Sequence, residues 1–277
     1  MLVAFLNAGS GIANDPVSHG AARSQGMANA SVMLADPWSG VGNPAGLAVL
    51  TNLAFSIHYE NYFLVPDLGL EFFSCGMPTK TGTFGISYST FGYSFYRESQ
   101  ACLSFGKSFG NKFRAGIGLH YLMIRQSADL GNLSALVPAL GIQAIPMPGL
   151  TIGLQVFNPA GQQYVPTGHL TIPTLIDAGL GYELGGEIFI CFETEKRSLE
   201  KLKYYGGIEI NLQKLIIARF GVSSGEYPGY SFGLGFQIRP LTIDIAATHH
   251  PVLGFSPAIT ISLGTESGKK KIRKLVH

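Results

Sequence analysis

The sequence predicts an all-β fold, a transmembrane antiparallel β-barrel of about 14 strands carrying a small N-terminal hatch segment. Three observations lead there. Only 13% of the 277 residues are charged while 46% are hydrophobic and 36 are glycine, whereas a soluble domain carries about 25% charge. Glycine fills a soluble core poorly, so an outer surface that meets lipid is the better home for so much apolar residue. Second, apolar and small polar residues alternate with a period of two along most of the chain, in runs near the roughly 9–11 residues that cross a bilayer. Third, the links between these runs are short and long by turns, as in barrels with tight periplasmic turns and longer external loops.

The same composition excludes other classes. Apolar content this high rules out disorder and a charged coiled coil, and a net charge of +2 is too small for nucleic-acid binding. Cys75, Cys102 and Cys191 are an odd, widely spaced set that supports neither a disulfide framework nor a zinc site.

Residues 1–13 begin with an apolar run from Leu2 to Leu6 and continue with small residues. They read as the remnant of a secretory signal peptide without its basic start. Residues 14–51 are expected to form the hatch, 52–264 the barrel, and 265–277 a basic periplasmic tail.

Residues 130–176 hold no Asp, Glu, Lys or Arg, which suggests a membrane helix. Pro138, Pro146, Pro148, Pro159, Pro166 and Pro173 would break any helix of the roughly 20 residues a bilayer needs. Strands fit instead. In residues 83–90, Phe84, Ile86 and Tyr88 face one way and Thr83, Gly85, Ser87 and Ser89 the other. In residues 112–123, Phe113, Ala115, Ile117, Leu119, Tyr121 and Met123 alternate with Lys112, Arg114, Gly116, Gly118, His120 and Leu122. Residues 53–60, 175–183, 231–238 and 258–264 repeat the pattern. A soluble β-sandwich also alternates, but its polar face would carry Lys and Glu where this one carries Gly, Ser and Thr. Longer links are expected at 61–67, 91–96, 126–134, 158–172, 196–203, 223–229 and 249–256, and tight turns at 78–80, 107–111, 146–149, 184–186, 212–214 and 239–240. An even strand count places both termini in the periplasm of a cell with a bacterial outer membrane, and outer-membrane lipid is the first partner.

Residues 19–50 do not alternate. They are rich in Ala, Gly and small polar residues and contain the lone tryptophan, Trp38. Gly20, Ala21, Arg23, Gly26, Met27, Asp36 and the run Asn43, Pro44, Ala45, Gly46, Leu47 resemble the N-terminal signature of the FadL and PorV outer-membrane barrels. Residues 140–158, 172–184, 206–222 and 241–264 resemble later strands of that family, and the last of these are most similar to its PorV and PorQ branch. A basic run, Lys269, Lys270, Lys271, Arg273 and Lys274, stands where barrel proteins commonly end in an aromatic residue.

Two groups of candidate site residues follow. Asn43 suits a turn and Pro44 a helix start, so Asn43, Pro44, Ala45, Gly46 and Leu47 would fold into the barrel as a hatch motif. Glu209, Arg219 and Asp244 fall on lumen-facing positions and would form an ionic network, Gly233 and Gly235 on the strand between leaving Arg219 room to reach Asp244. Nothing points to an enzyme, a metal or a cofactor. The seven histidines are scattered, His249 and His250 point to opposite faces, and Ser223, Ser224 and Gly225 make no nucleophile elbow.

The resemblance implies a docking or assembly component of type IX protein secretion, with protein partners from a secretion complex. The alternative is a FadL-like passive channel with a hydrophobic ligand. A lumen expected to be small, glycine-lined and ionic favours docking, since a transporter needs a continuous apolar pocket beside the hatch.

Overall fold

A computed structural model describes residues 21–126, 131–165, 171–198, 200–213, 215–225 and 227–264. The expected signal-peptide remnant at 1–13, Gly20 and the expected basic tail at 265–277 lie outside the described residues.

Fourteen strands form a closed barrel among the described residues. They are β1 (Ala54–Asn61), β2 (Gly69–Pro78), β3 (Thr83–Tyr93), β4 (Tyr96–Phe109), β5 (Phe113–Gln126), β6 (Asn132–Ala144) and β7 (Leu150–Phe157). β8 (Leu175–Leu184), β9 (Ile188–Arg197), β10 (Lys203–Leu212), β11 (Ile216–Ser223), β12 (Gly229–Ile238), β13 (Leu241–His250) and β14 (Gly254–Leu263) follow. Each strand pairs antiparallel with its sequence neighbours, and β1 pairs with β14 through a register that includes Phe55↔Leu263 and Ile57↔Ile261. Closure leaves no strand edge with unpaired N–H and C=O groups, which a lipid environment would not satisfy.

Alternation sets the two faces. On β1, Phe55, Ile57 and Tyr59 are 41%, 54% and 45% exposed, while Ser56 and His58 are buried in the lumen. Phe84, Ile86 and Tyr88 on β3, Ile117, Leu119 and Tyr121 on β5, and Phe232 and Leu234 on β12 are exposed in the same way. Large apolar side chains exposed over the whole wall match a lipid solvent, not water.

Tight turns gather at one end, where β8 and β9 are joined through Gly185 and Gly186, both at positive φ (60° and 79°). The opposite end carries the longer links, with two departures, one of them at 249–256, where β13 and β14 stay paired out to His250↔Gly254. Residues 91–96 were expected to be a long link, but β3 and β4 stay paired out to Tyr93↔Tyr96. Gly92 makes this possible: its φ is 107°, and a Cβ there would lie 2.3 Å from the Tyr96 carbonyl oxygen. The link after β7 is the longest. β6 pairs with β7 only over Ala139–Ala144, and its other half meets the link instead, Ser134 exchanging backbone hydrogen bonds with Val165 (3.1 and 2.9 Å). Asn158, buried and at φ 54°, pins this link: Nδ2 donates to the Ile172 carbonyl (2.9 Å) and Oδ1 accepts from the Gln162 N–H (2.7 Å).

The lumen is filled by residues 21–50. A short helix, α1 (Ala22–Gln25), packs on β12 to β14, and 3-10 turns at Pro37–Gly40 and Pro44–Val49 pack on β1 to β6. Met27, Val32, Met33 and Leu34 cluster with Cys191 of β9, and Trp38 and Val41 with Phe72 of β2. The lumen-facing glycines mark where this segment runs. A Cβ on Gly153 would lie 2.3 Å from the Val32 carbonyl oxygen, and one on Gly221 2.3 Å from the Ala28 nitrogen.

Candidate functional site

The site has three parts stacked along the lumen: the hatch motif, an ionic network beside it, and a cavity towards the long links.

Asn43 caps the second 3-10 turn. Its Oδ1 accepts from the Ala45 N–H (3.1 Å), and Pro44 takes the first helical position, where a missing N–H costs nothing. Nδ2 donates to the Val32 carbonyl (2.8 Å) and to the Ile142 carbonyl of β6 (3.0 Å), so one side chain ties two stretches of the hatch to the wall. Ala45 and Leu47 are fully buried, and a Cβ on Gly46 would lie 2.5 Å from the Leu34 carbonyl oxygen. All five motif residues are therefore engaged in seating the segment, and none lines the cavity.

Arg219 on β11 bridges two strands. Its Nε donates to Glu209 Oε2 on β10 (2.8 Å) and its Nη1 to Asp244 Oδ1 on β13 (2.6 Å), reaching past β12. A Cβ on Gly235 would lie 2.6 Å from Asp244 Oδ1 and 2.9 Å from Arg219 Nη1. The structure adds a member that the sequence reading left out of the network. Arg23 of α1 donates from Nε and Nη2 to both oxygens of Glu209 (2.9 and 3.0 Å), and its Nη1 lies 3.8 Å from Asp36. Buried ions persist only when paired, so the network joins hatch to wall by charge. Burial, the leading influence on Asp36, raises its carboxyl above the ordinary value, while Arg23 and the N–H groups of Trp38 and Ser39 act the other way. The signal for Arg23 was present: with Asp36 it carries all the charge in residues 19–50. Glu193 on β9 was missed too. Its Oε2 accepts from the N–H groups of Ser31 (2.6 Å) and Val32 (2.8 Å).

Above the hatch lies a cavity of about 280 Å³, floored by Ala21, Gln25 and Asn29. Leu70, Phe91, Leu122 and Ile124 from the strands and Tyr62, Phe63, Tyr164 and Tyr227 from the links give it apolar and aromatic walls. The aromatics brace one another: Tyr62 meets Phe91 edge-on with centroids 5.5 Å apart, and Phe63 meets His250 at 5.9 Å. Phe63 and Leu64 both adopt φ 58°, rare for such side chains, with the Phe63 N–H held by Ser256 Oγ (3.1 Å). Among its polar lining are His58, Glu60, Glu98 and Gln100. The expected glycine-lined lumen is thus correct only at the level of the hatch. Nearer the long links the inward positions are Phe91, Leu122 and Ile124, and link aromatics close over them.

A scan against protein-family models finds no match, and a search of curated proteins finds none. Solved structures do match. The chain is similar to the Ralstonia pickettii toluene transporter TbuX (TM-score 0.67, 10% identity, covering 89% of this chain and 97% of that one). It is also similar to the P. putida toluene transporter TodX (TM-score 0.66, 9% identity, 89% and 99%). A third is a Pseudomonas aeruginosa FadL homologue (TM-score 0.62, 11% identity, 87% and 97%). At these identities the likeness shows the fold, which is that of the FadL-type outer-membrane barrels.

These findings correct the expected secretion-docking role. The barrels of matching fold named here are transporters and a FadL homologue, and the lumen holds an aromatic cavity beside the hatch, the feature whose expected absence had favoured docking. Nothing in the comparisons supports the PorV and PorQ branch.

Proposed function

We propose that the protein is a passive outer-membrane channel for small hydrophobic molecules. The observation that carries this reading is the cavity of about 280 Å³ walled by Tyr62, Phe63, Phe91, Leu122 and Ile124 directly above the hatch. Ligand pockets of about 300–1,000 Å³ are typically apolar with a few fixed polar groups, and this cavity falls just below that range, a size for a small ligand. TbuX and TodX are toluene transporters, which supports the same class of ligand. In this reading the long links face outwards, both termini lie in the periplasm, and residues 14–51 act as the plug that a ligand must pass. The Arg23–Glu209 contact and the Asn43 tethers hold that plug shut.

Saturation-transfer NMR on the purified full chain in detergent tests the ligand class, with toluene as the probe. Toluene should receive saturation from the protein, and less so when Phe91→Ala removes a wall. No transfer to toluene from a folded barrel would overturn the reading.

A further inference from the structure

A cavity serving only hydrocarbons has no need of acceptors in its lining, yet this one is rich in them. Glu60 and Glu98 both line it, and no Lys or Arg is among the described residues that do. Gln25 lines it from the hatch and is 4% exposed. Its Nε2 donates to Glu60 Oε1 (2.7 Å), which fixes the amide's orientation and leaves Gln25 Oε1 a buried acceptor without a donor. Thr248 Oγ1, on a lining residue of β13, is likewise buried without a partner among the described residues. The other oxygen of Glu60 lies 3.9 Å from His58 Nε2, beyond hydrogen-bonding reach.

Resting on the channel reading, we propose that the cavity's ligand is an arylalkyl primary amine: an apolar ring seated among Tyr62, Phe63 and Phe91, with a protonated amino group held by Glu60. An ammonium supplies donors to the Glu60 carboxylate and to Gln25 Oε1. Its charge-assisted bond to a carboxylate is about twice as strong as a neutral one, and ring faces attract cations within about 6 Å. Glu60 is 9% exposed, and a carboxylate so withdrawn from water favours a ligand that neutralises it. The imidazoles of His58, His249 and His250 border the same space.

Titration calorimetry on the full chain in detergent separates the cases, using 2-phenylethylammonium and its near-isostere ethylbenzene. Working at pH 8 keeps a primary ammonium protonated and an ordinary imidazole neutral. The ammonium should bind at least tenfold more tightly than ethylbenzene, and Glu60→Gln should bring the ratio of the two affinities close to one. If Glu60→Gln does not fold, Glu98→Gln should lower the ratio several-fold, and an unchanged ratio counts against the proposal. Ethylbenzene bound as tightly as the ammonium overturns the amine proposal and leaves the channel reading standing. Binding of neither probe overturns both.

Discussion

Arg23 in the hatch grips Glu209 on β10 by two hydrogen bonds, 2.9 and 3.0 Å, across 186 residues of sequence. Glu209 is also held by Arg219, which in turn holds Asp244. The hatch is thus bonded to the same carboxylate that joins β10 to β11, and plug and wall share one electrostatic unit.

Breaking that unit from its centre should be costly. Arg219, 1% exposed at its side chain, is replaced in Arg219→Leu, which leaves the Asp244 carboxylate buried without its arginine. A loss of about 3–5 kcal/mol is expected, read as a lower midpoint in thermal unfolding in detergent. Adding Asp244→Asn to Arg219→Leu should recover much of it, because the stranded charge is gone while Glu209 keeps Arg23.

Asn43→Ala removes a cap and leaves the Val32 and Ile142 carbonyls without the Asn43 donor. Together these should cost about 2–4 kcal/mol. Asn43→Asp keeps the cap acceptor but turns a carboxylate oxygen towards those carbonyls, so it should be no better than alanine. Limited proteolysis within residues 21–50 reports the hatch directly, and both variants should be cut faster than the parent.

Gly116→Ala tests the seating of the hatch by a single methyl. The added Cβ would lie 2.4 Å from the Pro44 carbonyl carbon, so either β5 or the Pro44 turn must move. Overpacking of this kind costs about 1–3 kcal/mol. Because the displaced element is the plug, single-channel conductance in planar bilayers should rise.

Which of these features could be read from the sequence follows from how local each one is. β5 is legible because Ile117, Leu119 and Tyr121 alternate strictly with Gly116, Gly118 and His120, and the bilayer enforces the pattern on every strand. The close of β3 and β4 at Tyr93↔Tyr96 was hidden, since Gly92 permits a sharp turn without announcing it. Arg219 could be set opposite Glu209 because β10 and β11 form one hairpin, a short-range relation. Arg23 could not be placed there, because the lumen route of an irregular segment is set by packing and has no period. The cavity was missed for a related reason. Tyr62, Phe63 and Tyr227 come from links, where side-chain direction follows no alternation, and with Phe91 of β3 they supply the aromatic surface.

Uptake of radiolabelled toluene by cells with a lipopolysaccharide outer leaflet, with and without the protein inserted, tests the channel most directly. Ser89→Phe is the control, since it fills the cavity from β3. The native protein should raise initial uptake several-fold without saturating at low concentration, and Ser89→Phe, equally abundant and folded in the membrane, should return it to background. Equal uptake with and without the inserted native barrel would contradict the account.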